Sequence, residues 1–470
     1  MGCSKGRTVE FSEIRQAPDL GAIESYLEQT TFRASRNPNV YLIFFDTMRP
    51  DYSVEKNGPL KTFYDANLTF SASYATGTAT WYSMFSFFHS MPGFLTYDLF
   101  PKVQSNTSHY GSIFLKVLNK LGYQVNTYGY DWRCDVEERP SGSSWKRLVL
   151  SAFGWKSRLL ERCQTDPSYD SVFAGNLDEV TVNELSKKLP AVVTTPEKHF
   201  SFLTFYNNHN PYKWGGATEG ISKNVGDDED FTEIRQTKNR YTNSFVASNL
   251  NFDRLIKLIG TLPGHQNAVV ILFSDHGEML YEKYREAGHG GILFREKIQT
   301  VLAFQFPERP DLRSKKDSTS ITSMSDIFPT LFDYMGVTPQ LSSHWVTGHS
   351  LISNPRTSTL AVRSNKDDPT REMVLINQTQ KAWIEVEEDD FYHSKSFRLI
   401  KVTDLDDRTI ENFCKNKNEE ECKQQLIALF PDALKELYPG LTTTLGAGLT
   451  SSKPTRNISS VKPKKPGSHK

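Results

Sequence analysis

The run Ala268–Gly277, AVVILFSDHG, limits what this chain can fold into more than any other stretch. Its unbroken apolar residues, rich in Val and Ile, read as a strand buried on both faces, the pattern of a parallel sheet covered by helices. Apolarity stops at Ser274, and Asp275 and His276 follow at the strand's C-terminal end. That edge is where open α/β sheets bind ligands. A carboxylate beside an imidazole suits a divalent cation such as Zn²⁺ or Mn²⁺. The same residues also fit a strand that ends in a polar turn, with Asp275 capping a helix. The decapeptide alone leaves both readings open.

The pattern recurs. Asn39–Asp46, NVYLIFFD, is a second apolar run closed by a carboxylate, and Thr47–Asp51 follows as a loop because Pro50 biases its predecessor away from helix. His199–Tyr206 is a third run, leading into Asn207-Asn208-His209-Asn210-Pro211-Tyr212. Strands that each end in a metal-binding or proton-transferring residue point to one shared site. Between the first two lies Tyr74–Phe88, YATGTATWYSMFSFF, in which Thr76–Thr80 reads as a turn and Trp81–His89 as a helix. A hydroxyl at a helix N-terminus sits among free N–H groups at the positive end of the dipole, where a tetrahedral oxyanion can be held. Thr78 and Thr80 are therefore candidates, with a plain N-cap as the alternative for either. His89 and the aromatic stripe Trp81, Phe85 and Phe88 read as packing.

Further helices are expected over Ser112–Leu121, Arg240–Ile259 and Met324–Met335, each followed by glycine, and further strands over Tyr123–Tyr128 and Lys297–Phe306. Gly216–Thr237 reads as a polar loop at a substrate rim. In Glu286-Ala-Gly-His-Gly-Gly291 the glycines leave His289 open to a ligand, a short distance in sequence from the Asp275–His276 pair. Arg49 and Asp51 fit either phosphate contact and metal ligation or a salt-bridged loop.

The chain of 470 residues divides into a polar N-terminal extension over 1–38, a main domain over 39–354, a C-terminal α+β subdomain over 355–439, and a basic tail over 440–470 that reads as disordered. Lys and Arg together number 55, as do Asp and Glu, so charge gives no argument for a nucleic-acid partner. No apolar run is long enough for a membrane-spanning helix. The start Met1-Gly2-Cys3-Ser4-Lys5-Gly6 approaches an acylation signal, but Gly6 stands where Ser or Thr is wanted. The compartment therefore stays open, with membrane association through an acyl chain a weak alternative. The 5 cysteines are too few and scattered for a disulfide framework, and Cys414 and Cys422 read as reduced core thiols although their spacing permits a bridge.

Taken in order, these motifs resemble the sulfatase branch of the alkaline phosphatase superfamily over roughly residues 39–352. NVYLIFFDTMRPD resembles the family's first strand with its metal-binding acid, and SDHGEMLYEKYREAGHGG resembles its DHG motif with a downstream histidine. RYTNSFVASNLNFDRLIKLI, SMSDIFPTLFDYMGV and GHSL are similar to the family's long helix and closing elements. The expected fold is α/β, a mostly parallel central sheet flanked by helices with a smaller C-terminal α+β subdomain. Sulfatases carry Cys or Ser in a C/S-x-P-x-R setting, from which formylglycine is made. Here Thr80-Trp81-Tyr82-Ser83-Met84 stands instead, and GTATWYSMFS is closer to the GTAT-x-x-S run of phosphoethanolamine transferases.

The resemblance implies one divalent ion (Zn, Mn or Ca) held by Asp46, Thr80, Asp275 and His276, with Thr80 as nucleophile. It implies His289 and His209 as the groups that protonate the leaving oxygen or hold substrate phosphate, and Arg49 and Thr78 are added as substrate contacts. The expected reaction is hydrolysis or transfer of a phosphate ester through a phospho-threonine enzyme, on a small-molecule, glycan or lipid ester. A sulfuric ester hydrolase and a non-catalytic binding member of the family are the alternatives.

Overall fold

The computed structural model describes residues 6–11, 13–96, 99, 112–128, 177–210, 212, 231–283, 286–364, 372–386 and 394–441. The acylation signal, the basic tail and most of the proposed rim loop lie outside them. In chain order the strands are β1 (Arg7–Glu10), β2 (Val40–Phe45), β3 (Leu68–Tyr74), β4 (Gln124–Tyr128), β5 (His199–Phe205) and β6 (Val269–Ser274), then a short hairpin of β7 (Met279–Leu280) and β8 (Ala287–Gly288). There follow β9 (Leu302–Gln305), β10 (Lys316–Ser323), β11 (Thr359–Val362), β12 (Glu372–Ile376), β13 (Gln380–Glu385) and β14 (Ser396–Asp404).

The central sheet has 7 strands in the order β10-β3-β9-β6-β2-β5-β4. All neighbours are parallel except β9, which runs antiparallel to both β3 and β6. β2 lies at its centre because every residue of Val40–Phe45 is apolar and both faces are covered. Leu42 and Phe44 join a cluster with Phe87, Phe202, Phe273 and Phe328, under the helices Thr80–His89 and Ile327–Met335. Tyr41, Ile43 and Phe45 face the other way, against Tyr241, Phe245 and Phe252 of the helix Phe231–Ile259. Each such Phe contributes about 1.5–3 kcal/mol by leaving water.

The register positions the chemistry. Phe45 lies beside Phe205 on one side and Ser274 on the other, all in parallel strands. The next residues, Asp46 and Asp275, therefore leave the sheet at one rim, with His209 a few residues beyond β5. Thr80 arrives from β3 through the turn that starts the helix Thr80–His89.

The second sheet, β1-β14-β13-β12-β11, is antiparallel and packs under the helices Glu419–Leu429 and Pro431–Leu437. Buried Arg356, just before β11, reaches Asp326 in the turn after β10 at 2.6 Å and Glu436 of the helix Pro431–Leu437 at 3.0 Å.

Several expectations need correction. Residues 7–10 of the polar lead-in form an edge strand against β14, with Val9 fully buried. Residues 231–239 begin the long helix rather than extend the rim loop. Lys297–Phe306 is not one strand: Arg295–Ile298 is a helical turn, and only Leu302–Gln305 pairs in the sheet.

Cys414 and Cys422 are bonded, with Cα atoms 5.4 Å apart, against the expectation of free thiols. A turn with Cys414 at φ 58° brings the first sulfur back onto the helix that carries the second. The closed loop spans a sequence separation of 8 residues. Loop-closure entropy then gives about 2–3 kcal/mol of stabilisation. Cys414→Ser protein should lose that amount in urea denaturation under non-reducing conditions, and an unchanged midpoint would show that the bridge does not form in solution.

Candidate active site

The strand ends meet. Asp46, Asp275 and His276 are each fully buried, and one ligand atom from each lies within 4.8 Å of the other two. Nε2 of His276 is 3.3 Å from Asp275 Oδ2 and 3.9 Å from Asp46 Oδ1. Thr80 Oγ1 completes the group at 3.1 Å from the same nitrogen. The helix that starts at Thr80 has Ala79 as its N-cap, with no side-chain capping bond. The Thr80 hydroxyl is thus not consumed as a cap.

The surrounding backbone orients these groups. Asp275 Oδ1 accepts the amides of Thr47 at 3.1 Å and His276 at 2.8 Å, leaving Oδ2 facing Nε2, and Asp275 caps no helix because residues 275–278 are non-helical and lead into β7. Thr47 supplies its amide from a left-handed conformation, φ 55°, uncommon for a β-branched residue. It is held there by Tyr241, whose hydroxyl donates to the Thr47 carbonyl at 2.5 Å, and by its own hydroxyl, which donates to the Asn208 carbonyl at 2.5 Å. His276 Nδ1 lies 2.9 Å from the Gly277 carbonyl, so it carries the proton and Nε2 keeps its lone pair. Burial depresses the imidazole's basicity well below the ordinary value, which keeps it neutral. Burial likewise pushes the Asp275 carboxyl up, against the Thr47 amide, the Thr80 hydroxyl and the His276 amide. Two carboxylates and one neutral imidazole, dry and converging, are a donor set that fits one divalent cation. A cation there would offset the desolvation that these groups otherwise suffer.

His289 and His209 complete the rim. The His289 ring lies 4.5 Å from that of His276 and 4.9 Å from that of His209. His289 Nδ1 is 2.9 Å from Glu278 Oε2, and Tyr212 donates its hydroxyl to Glu278 Oε1 at 2.6 Å. Burial disfavours the His289 cation, but the Glu278 hydrogen bond and charge outweigh it and hold the imidazole's pKa above its usual value. Burial also disfavours the Glu278 carboxylate, yet His289 and Tyr212 hold its pKa below normal. Sequence reasoning missed Glu278 and Tyr212. Their signals were present: Glu278 stands two positions after His276, and Tyr212 closes the strip that carries His209.

The two expected substrate contacts are engaged elsewhere. Arg49 takes the salt-bridged alternative, pairing with Asp51 at 2.7 and 3.0 Å and with Glu282 at 2.7 Å while donating to the Glu278 carbonyl at 2.8 Å. Asp51, bound in that pair, is not in the cation-binding group. Thr78 is fully buried, its hydroxyl shared between the Gly291 carbonyl and the Ser364 amide. His89 is the core histidine expected, with burial pushing its pKa down to about 3.

The loop that carries His209 is tied by Asp178, whose Oδ1 accepts the Tyr206 and Asn207 amides at 2.6 and 3.2 Å. Burial pushes this carboxyl up to about 7, although those amides favour its ionised form. Between the ordinary carboxyl value and pH 7 the folded chain holds a proton that the unfolded chain has released, so stability falls as pH rises. The cost is about 1.4 kcal/mol per unit of difference. Asp178→Asn keeps Oδ1 and removes the titration. Its stability relative to wild type should therefore rise between about pH 4 and about pH 7 and level off above that in denaturant melts. Parallel pH profiles would refute the assignment.

Family and fold together define a hydrolase or transferase of sulfate or phosphate esters. The chain belongs to the sulfatase family, whose model, described as Sulfatase, matches residues 38–337. Members of this family depend on metal. Among solved structures, the chain is similar to a phosphonate monoester hydrolase of Agrobacterium radiobacter, with a TM-score of 0.59 and 14% identity, covering 83% of this chain and 95% of that one. It is similar to a 2-O GAG sulfatase, with a TM-score of 0.58 and 14% identity over 84% and 92% of the two chains. It is also similar to the lipoteichoic acid synthase LtaP from Listeria monocytogenes, with a TM-score of 0.57 and 11% identity over 89% and 98%. At these identities the likeness shows the α/β fold of the alkaline phosphatase superfamily and no more. No curated protein sequence matches. Among the described residues, no helix is long and apolar enough to cross a membrane.

Proposed function

We propose that the protein hydrolyses or transfers phosphate esters of a small molecule, glycan or lipid, with Thr80 as nucleophile and a phospho-threonine intermediate. The observation that carries this reading is the Thr80 hydroxyl, 3.1 Å from His276 Nε2 in a dry group with Asp46 and Asp275. A divalent ion bound by Asp46, Asp275 and His276 would polarise the Thr80 hydroxyl and draw charge from the phosphoryl oxygens. Thr80, its hydroxyl proton released to solvent, attacks phosphorus through Oγ, and the Oγ–P bond forms as the bond to the leaving oxygen breaks in line. His289, oriented by its Nδ1 bond to Glu278, gives its proton to that oxygen. Water or an acceptor hydroxyl then attacks the same phosphorus, its proton passes to His289, and the Oγ–P bond breaks to return Thr80 as the alkoxide that starts the next cycle. His209, packed against His289, binds the phosphoryl oxygens.

Sulfate-ester hydrolysis is the competing reading within the family. Formylglycine chemistry needs Cys or Ser, and Thr80 cannot supply it, which favours phosphate. Intact-mass spectrometry of the full chain with added Zn²⁺ or Mn²⁺ and an aryl phosphate should reveal one phosphoryl group on Thr80. Turnover of aryl sulfate but not aryl phosphate, with no adduct, would reverse the assignment. Absence of both turnover and bound metal would favour the non-catalytic reading.

A further inference from the structure

We propose that the C-terminal sheet is part of the catalytic apparatus: through Thr78 it locks the loop that presents Thr80 to the turn that presents His289. The inference rests on the reading of Thr80 as nucleophile and His289 as proton donor.

Three segments distant in sequence meet at Thr78. Its hydroxyl accepts the Ser364 amide at 3.1 Å and donates to the Gly291 carbonyl at 3.2 Å. Its own carbonyl accepts the Gly290 amide at 2.5 Å, and the Gly291 amide donates to the Ser364 carbonyl at 3.2 Å. Ser364 lies two residues beyond the end of β11, which bridges the nucleophile loop in parallel at Gly77↔Val362, with the Val362 amide donating to the Thr76 carbonyl at 2.9 Å. Gly77 fits only because it has no side chain: a Cβ there would meet Tyr82 Cβ at 2.5 Å. Gly290 and Gly291 hold φ of 78° and 60°, left-handed conformations that bring both amides round to these partners. Fully buried Lys297 braces the turn from beneath, donating to the Gly290 carbonyl at 2.9 Å and pairing with Glu286.

The geometry requires one group that donates and accepts at once. A threonine or serine hydroxyl does so; valine has the shape of threonine and does neither. Losing the hydroxyl leaves the buried Ser364 amide and Gly291 carbonyl without this partner, and the two loops lose their fixed spacing. Thr78 touches no reacting atom in this arrangement, so it is a positioning residue. A misplacement of about 1 Å between reacting groups costs about 10²-fold in rate.

The test compares full-length wild type, Thr78→Val and Thr78→Ser with added Mn²⁺ and an aryl phosphate. Thr78→Val should lower kcat about 10- to 100-fold with KM nearly unchanged, and Thr78→Ser should restore most of it. Hydrogen exchange should show the Gly290, Gly291 and Ser364 amides protected together in wild type and released together in Thr78→Val, while the helix Ile327–Met335 stays protected. Wild-type kcat in Thr78→Val would overturn the proposal. So would a raised KM at constant kcat, which would return Thr78 to the substrate. If Thr78→Val does not fold, the wild-type amides decide alone: free exchange at Ser364 or Gly291 overturns the lock, and joint protection supports it. Joint release in Thr78→Val, with no turnover by wild type, would refute the phosphoester reading and the catalytic role, and leave the lock as architecture.

Discussion

Thr80→Ala protein is expected to lose phosphoester turnover by about 10³-fold or more, with no phosphoryl adduct, while its melting temperature stays close to wild type. Among the described residues, the Thr80 hydroxyl is the one alcohol that lies against the Asp46–Asp275–His276 group, 3.1 Å from His276 Nε2. Its contacts are with the site and not with the core, since the helix it opens has no side-chain cap to lose. Thr80→Ser should retain part of the activity because it keeps the oxygen and frees its rotamer. Alanine protein with turnover near wild type would remove the covalent mechanism and leave the fold and the cation site intact.

Asp275→Asn is expected to abolish metal binding at stoichiometric concentrations. Asp275 Oδ1 already accepts two amides, so an asparagine must turn its oxygen to them. Its NH₂ then stands where Oδ2 faced His276, presenting a donor to a cation. Loss of an outer-shell partner costs about 10–100-fold in metal affinity, and replacement of a direct ligand by a donor should exceed that. Titration calorimetry with Zn²⁺ and Mn²⁺ on both proteins checks this without any substrate. Equal affinities would place the ion elsewhere, and the enzymatic reading would lose its electrophile.

The rim was legible because buried parallel strands write themselves as unbroken apolar runs, and a carboxylate after such a run has one place to go. Asp46, Asp275 and His276 were placed that way, while the turn before the helix offered Thr78 and Thr80 alike and only the family resemblance chose Thr80. Arg49 and Thr78 were harder, because residue type says what a group can bond and not what it already bonds. Asp51 and Glu282 occupy the first, Ser364 and Gly291 the second. Glu278 and Tyr212 escaped because their pairing depends on a hairpin returning His289 over the DHG turn, a contact with no periodicity in sequence. The Cys414–Cys422 bridge escaped for a similar reason: the left-handed turn at Cys414 that closes it is not encoded by a glycine.

The pairing of Arg7–Glu10 with Ser396–Asp404 bears on how the protein can be handled. A chain trimmed to begin at Asn39 would keep every residue of the reaction centre yet bare one flank of β14, leaving a row of amides and carbonyls open to any extended segment. Such a trimmed form should self-associate by strand exchange or aggregate, and its poor solubility would say nothing about the reaction.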